Sequence, residues 1–138
     1  YNYPLNETFT TLLPAILMGN PVISKLPRFG QLLNNPLLEA FRDSFPPGVV
    51  NIINGRGGTI IPPIIQSGGI ELLAFIGSSK TADKLKQYHP KPHRFKCVLS
   101  LDAKNLAVVL PDADMKVTVP QIIAGALGFN GQRCTALK

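Results

Sequence analysis

The sequence predicts an α/β chain, a doubly wound parallel sheet with helices on both of its faces. Three observations lead there. The strand-like runs 49–53, 71–76 and 95–101 are apolar on both faces, as strands buried in a parallel sheet are. Segments with helical apolar spacing alternate with those runs. The 13 prolines and 12 glycines fall between the apolar runs, where they punctuate elements and do not build low-complexity tracts.

Each element has a local reason. Residues 6–18 read as a helix, with Asn6 able to cap and Phe9, Leu12, Leu13, Ile16 and Leu17 at helical spacing. Gly19-Asn20 stops it. Residues 21–25 form a short β-branched strand. Residues 29–45 carry a second helical pattern, with Pro36 as a break or first-turn residue and Pro46-Pro47-Gly48 as the stop. The strand 49–53 ends in a glycine turn at 54–58. Residues 59–67 are helical in pattern, although Pro62-Pro63 suits only a first turn. After the strand 71–76 comes a helix over 78–87, with Ser78 or Ser79 at its start. Two further strands are expected at 95–101 and 106–110, then a helix over 115–127 with Pro120 near its beginning.

Composition bounds the function. The 138 residues are 45% hydrophobic and 16% charged, which suits one packed domain and excludes global disorder. No uninterrupted apolar run reaches the roughly 18 residues of a membrane span, and the start shows no signal-peptide pattern. No membrane partner is therefore expected. Both ends lie inside patterned sequence, so the chain reads as an incomplete part of something longer. Fourteen Lys and Arg against eight Asp and Glu give a net charge of +6. Their densest stretch, 80–96, reads as a solvated helix face followed by a loop, and no nucleic-acid motif accompanies it, so no nucleic-acid partner is expected. Cys97 and Cys134 are too few for a disulfide framework and have no metal-ligand spacing, which points to a reducing, cytoplasmic setting and to no metal.

Three strand-to-helix junctions, near Lys25, Gly55 and Gly77, stand where a parallel sheet forms its ligand crevice. Gly77-Ser78 is the best phosphate candidate, because glycine lets backbone approach and the free amides of a helix start attract anions. Gly55-Arg56-Gly57-Gly58 is not a G-x-G-x-x-G fingerprint, since Ile60 stands at the third glycine. Cys134 lies in the polar loop Phe129-Asn130-Gly131-Gln132-Arg133-Cys134-Thr135. From that context two readings stand level: a thiolate nucleophile beside a cation, or a small buried hydrophobe. Cys97 sits in a strand pattern and reads as structural. His89 and His93 flank Pro90-Lys91-Pro92 and read as loop residues, not as a helical metal pair.

The segment Gly131-Gln132-Arg133-Cys134-Thr135 resembles the active-site loop of the aldehyde dehydrogenase superfamily. Four other segments resemble that family in the same order and at fitting intervals. They are Tyr1-Asn2-Tyr3-Pro4-Leu5-Asn6, Gly19-Asn20 with Val22-Ile23-Ser24-Lys25, Phe45-Pro46-Pro47-Gly48-Val49-Val50-Asn51, and Ala74-Phe75-Ile76-Gly77-Ser78. The wording of 38–57 and 89–94 is most similar to the non-phosphorylating, NADP-dependent glyceraldehyde-3-phosphate dehydrogenase branch.

The resemblance implies a Rossmann-like fold, with residues 1–101 as most of a dinucleotide-binding domain and 102–138 as the start of a catalytic domain. It implies oxidation of a small aldehyde, such as glyceraldehyde 3-phosphate, and relatives that are homo-oligomers. Cys134 would attack the aldehyde, and Asn2 with the Cys134 backbone N–H would hold the oxyanion. Hydride would leave to the nicotinamide, and water would hydrolyse the remaining thioester. Lys25 would reach the adenosine ribose, Gly57 would lie near the adenine, and Gly77 and Ser78 would approach the pyrophosphate. Arg28 stands where NAD-preferring members carry an acid, so it is either a 2′-phosphate partner or a solvated cation. NADP is the expected cofactor, with NAD as the alternative.

The departures are as informative. The family's general base is the Glu of a Glu-Leu-Gly-Gly-Lys motif, and the matching stretch here is Ser100-Leu101-Asp102-Ala103-Lys104. A serine hydroxyl is no base near neutral pH. Asp102 would replace it if the strand continued, because residues i and i+2 share a face. Leu26 stands for the usual Pro after the Lys, and the downstream Glu-x-Phe-Gly-Pro motif is absent. A catalytically inactive dinucleotide-binding remnant is thus the alternative to an enzyme.

Overall fold

The computed structural model describes residues 3–138. Five helices and four strands alternate along it. The helix α1 (Pro4–Leu17) leads to the strand β1 (Val22–Lys25), a 3-10 turn (Gln31–Asn34), α2 (Asn35–Ser44) and β2 (Val50–Ile53). Then come α3 (Gly57–Gln66), β3 (Leu72–Ile76), α4 (Ser79–Gln87), β4 (Lys96–Ser100) and α5 (Met115–Leu127). β1 pairs with β2 and β3 pairs with β4, both in parallel, with Lys25 opposite Ile53 and Ile76 opposite Ser100. Each pair with its crossover helix is a β-α-β unit. The parallel α/β architecture expected from the apolar runs is therefore present.

Helix starts differ from expectation in instructive ways. α1 begins at Pro4, whose missing N–H costs nothing in a first turn, so Asn6 lies inside the helix and does not cap it. Pro36 likewise falls in the first turn of α2. Pro62 and Pro63 sit inside α3, where they remove two amide donors, yet the helix runs through them to Gln66. Gly30, at φ 80°, turns the chain just before the 3-10 turn, and a Cβ there would stand 2.8 Å from the Pro4 ring. That close approach seats the turn against the start of α1.

The expected strand 106–110 does not form. Among the described residues the nearest bridge is a single parallel one just before it, from Asn105 to Leu137. Without a neighbouring strand its backbone has no ladder to join, and Leu106, Val108, Val109 and Leu110 stay exposed.

The packed interior is small. Leu12 of α1, Leu26 after β1, Ile65 of α3, Ala82 and Leu85 of α4, and Ala136 are buried. Phe9 of α1 meets Phe41 of α2 with ring centroids 6.3 Å apart. His89 is buried in the turn after α4, stacked 4.7 Å from Phe95, and its Nδ1 accepts from the Lys91 N–H at 3.0 Å. It acts as a packing residue of a loop, as its flanking prolines suggest. No helix among the described residues is long and apolar enough to cross a membrane.

Candidate active site

The C-terminal ends of the parallel strands carry the sequence-predicted cofactor residues, each on its own junction. Lys25 closes β1 and is half-buried. Gly57 opens α3 just after β2, with open space where a side chain would stand. Arg28 is exposed in the loop after β1, its guanidinium 5.3 Å from the Phe29 ring.

Gly77 and Ser78 form the turn from β3 into α4. The Gly77 N–H donates to the Ser100 carbonyl at 3.1 Å, which ties this turn to the end of β4. Ser78 is the N-cap: its Oγ accepts from the Thr81 N–H at 3.3 Å. A Cβ on Gly77 would meet the Phe75 ring at 2.5 Å, so any larger residue here would have to displace that ring.

Asp102 corrects one expectation. β4 ends at Ser100, so strand alternation does not extend to residue 102. Instead the Asp102 carboxylate turns to the start of α4, where Oδ2 accepts from the Ser79 N–H at 2.9 Å and the Ser79 hydroxyl at 2.6 Å. The hydroxyl bond first, then the amide bond, hold its pKa below the usual carboxylate range, with the Lys104 charge helping. The start of α4 thus already receives an oxyanion from the chain itself. Its donors fit a phosphate group, which would compete with Asp102 for the Ser79 amide.

Cys134 is exposed and free, and it shares a cleft of about 490 Å³ with Ser100. The cleft runs between Asn6, Glu7, Thr10 and Thr11 on one face of α1 and the ends of β3 and β4, with Thr135 beside the thiol. Asp102 does not line it. Among the described residues Glu7 is the only carboxylate that does, and its Oε2 has no exposed surface and no hydrogen-bond partner among them. Asn2, the expected oxyanion donor, lies outside the described residues.

The loop that carries Cys134 is held at both ends. Phe129, Asn130 and Gly131 all take left-handed backbone angles, with φ of 56°, 56° and 68°. For a phenylalanine that conformation is strained, and such strain collects where a fold must aim a functional segment. The reversal folds Arg133 back onto the end of α5, where Nη2 donates to the Gly125 carbonyl at 2.8 Å and the Ala124 carbonyl at 3.3 Å. A cation on those terminal carbonyls complements the helix dipole. From the other side, the Asn105 side-chain amide donates to the Cys134 carbonyl and to the Ala136 carbonyl, the latter at 2.9 Å. Among the described residues no group of three or more His, Cys, Asp or Glu side chains could hold a metal ion.

Sequence reasoning missed Glu7, Asn105 and the role of Arg133. Glu7 had a readable signal: Asn6, Glu7, Thr10 and Thr11 repeat at helical spacing and form a polar stripe on the face of α1 away from its apolar residues. Asn105 had none, because its partners are about thirty residues away.

Comparison with known proteins identifies the family of the chain. A sequence model of the Aldehyde dehydrogenase family matches residues 1–138. An NADP-dependent glyceraldehyde-3-phosphate dehydrogenase from Streptococcus equinus is 37% identical over 139 aligned positions, which cover 100% of this chain and 29% of that protein. The enzyme of the same name from Pisum sativum is 29% identical, over 100% of this chain and 27% of its own length. The crystal structure of NADP-dependent glyceraldehyde-3-phosphate dehydrogenase from Bacillus halodurans C-125, complexed with NADP, superposes with a TM-score of 0.84 at 36% identity. It is matched over 99% of this chain and 28% of its own. The chain therefore spans less than a third of the length of these relatives.

Proposed function

The chain belongs to the aldehyde dehydrogenase family, and from that premise we propose that it carries the nucleophile and most of the cofactor site of an NADP-dependent aldehyde dehydrogenase. In this reading residues 1–101 are most of the dinucleotide-binding domain, and 102–138 begin the catalytic domain. The aldehyde is glyceraldehyde 3-phosphate, by likeness to the relatives of that name. The observation that carries the reading is the cleft that Cys134, with its free thiol, shares with the ends of β3 and β4, where β3 leads into the Gly77-Ser78 turn.

Cys134 attacks the aldehyde carbon, and its own backbone N–H with the Asn2 amide takes the developing oxyanion. When bound, NADP, or NAD as the alternative, would supply the hydride acceptor. This chain's residues position it: Ser78 and Gly77 admit the pyrophosphate at the start of α4, Lys25 and Arg28 meet the ribose and its 2′-phosphate, and Gly57 leaves room for the adenine. Asp102 must leave the Ser79 amide for the pyrophosphate to use it.

Ser100 favours a second reading, a protein that binds the dinucleotide and does not turn over. The two part in one experiment. The native protein is mixed with NADP+ and glyceraldehyde 3-phosphate, and the reduced dinucleotide of the first turnover is measured against a Cys134→Ser control. One equivalent from the native protein and none from the control supports the enzyme. Stabilisation by NADP+ without any reduction supports the binding remnant.

A further inference from the structure

We propose that Glu7 is the general base of this site, the carboxylate that hydrolyses the thioester on Cys134. The inference rests on the enzyme reading above and goes beyond it to a residue of α1.

Three observations converge. Ser100 occupies the position where the family motif places its catalytic Glu, and a serine hydroxyl accepts no proton from water near neutral pH. Asp102, the nearest acid in sequence, does not line the cleft and turns instead toward the start of α4. Among the described residues Glu7 is the one carboxylate lining the cleft that holds both Cys134 and Ser100. Its Oε2 is buried and accepts from nothing in the described structure. A carboxylate oxygen shielded from bulk solvent and left unpaired carries an unmet demand for a donor. That oxygen is closed to solvent, so the cleft water to be activated bonds the other oxygen of the same carboxylate, Oε1.

The step balances without any further reactant. Water donates one proton to Glu7 as its oxygen bonds to the thioester carbon. The tetrahedral intermediate collapses, the C–S bond breaks with its electron pair on sulfur, and Cys134 leaves as a thiolate. The acid product and Glu7 then release their protons to solvent. The oxidation has already occurred in the hydride step, so hydrolysis needs no oxidant. The small Ser100 side chain leaves room on the opposite wall for the water.

The test separates acylation from hydrolysis in the native protein. Glu7→Gln keeps the size and loses the base. The first turnover of NADP+ should stay at one equivalent per Cys134, while later turnovers slow by about 10²- to 10⁴-fold. Hydroxylamine, which attacks thioesters without base assistance, should restore later turnovers. Adding Ser100→Glu to Glu7→Gln should also restore them, by returning a carboxylate to the motif position. A Glu7→Gln variant that turns over at the native rate overturns the proposal and leaves the enzyme reading intact. A first turnover lost together with the later ones assigns Glu7 to substrate binding and likewise overturns it. Absence of any first turnover in the native protein defeats the enzyme reading itself.

Discussion

Replacing Asn105 by Ala should loosen the segment that carries Cys134. The Asn105 amide spans two carbonyls on that segment, Cys134 and Ala136, and its own carbonyl accepts from the Lys138 N–H at 2.8 Å. The alanine variant keeps the backbone bond and loses both side-chain bonds. Each is worth about 1 kcal/mol net, so the local loss is about 2 kcal/mol. The buried position of Ala136 works against recovery of that carbonyl by solvent. A loss of about 2 kcal/mol corresponds to about 30-fold more frequent local opening. Native-state hydrogen exchange reads this at the Leu137 and Lys138 amides, which donate to Gly125 and Asn105 in the closed segment. Both should exchange about 30-fold faster in Asn105→Ala, with the β3 and β4 amides unchanged. Asn105→Asp, which sets a carboxylate against two carbonyls, should be at least as fast as the alanine variant. Exchange within about twofold of the native rate in both variants would refute the reasoning, because the segment would then be held by something other than this amide.

Asp102 predicts a pH signature. Its folded pKa lies below the usual value of 3.8, so its contribution to stability is complete above that value and is lost as pH falls through the lower folded pKa. Denaturation midpoints of the native protein and Asp102→Ala should differ at neutral pH and converge in strong acid; a constant difference across that range would contradict the contact with Ser79. The same variant frees the Ser79 amide and should bind NADP+ more tightly by calorimetry, whereas weaker binding would place the phosphate elsewhere. Gly77→Ala drives a methyl group into the Phe75 ring and should cost about 1–3 kcal/mol in urea titration while weakening NADP+ binding. Ile65→Ala, at a side chain that is 2% exposed, should cost about 2–5 kcal/mol with little effect on Cys134 alkylation.

The regular elements were legible because each rests on local chemistry. The β-branched run at Val22 and Ile23 and the apolar run at 50–53 make strands wherever a parallel neighbour exists, and each is the other's neighbour. Ser78 reads as a cap because a hydroxyl before a helix has few other uses, and its Oγ does accept from Thr81. Reading failed where the outcome depended on distant partners. Leu106 to Leu110 has strand composition, yet strand formation needs a ladder that nothing in sequence can promise. Asp102 was placed by extending strand alternation two residues past the true end of β4 at Ser100. Asn6 has capping chemistry, but Pro4 starts the helix earlier because its ring already holds the helical φ. At the candidate site, the Cys134 thiol and the Gly77-Ser78 turn were visible as motifs. Glu7 was hidden because the apolar face of α1 was the one that explained the helix, and its polar face had no stated use until the cleft appeared.

The most direct measurement is to quench the native protein in acid after one turnover with NADP+ and glyceraldehyde 3-phosphate, then locate the acyl group by peptide mass mapping. The acyl mass should sit on the peptide containing Cys134 and be absent from the peptide containing Cys97. Reduced dinucleotide formed with no acyl group on Cys134, or with the acyl group on Cys97, would contradict the assignment of the nucleophile and with it the chemistry built on the cleft.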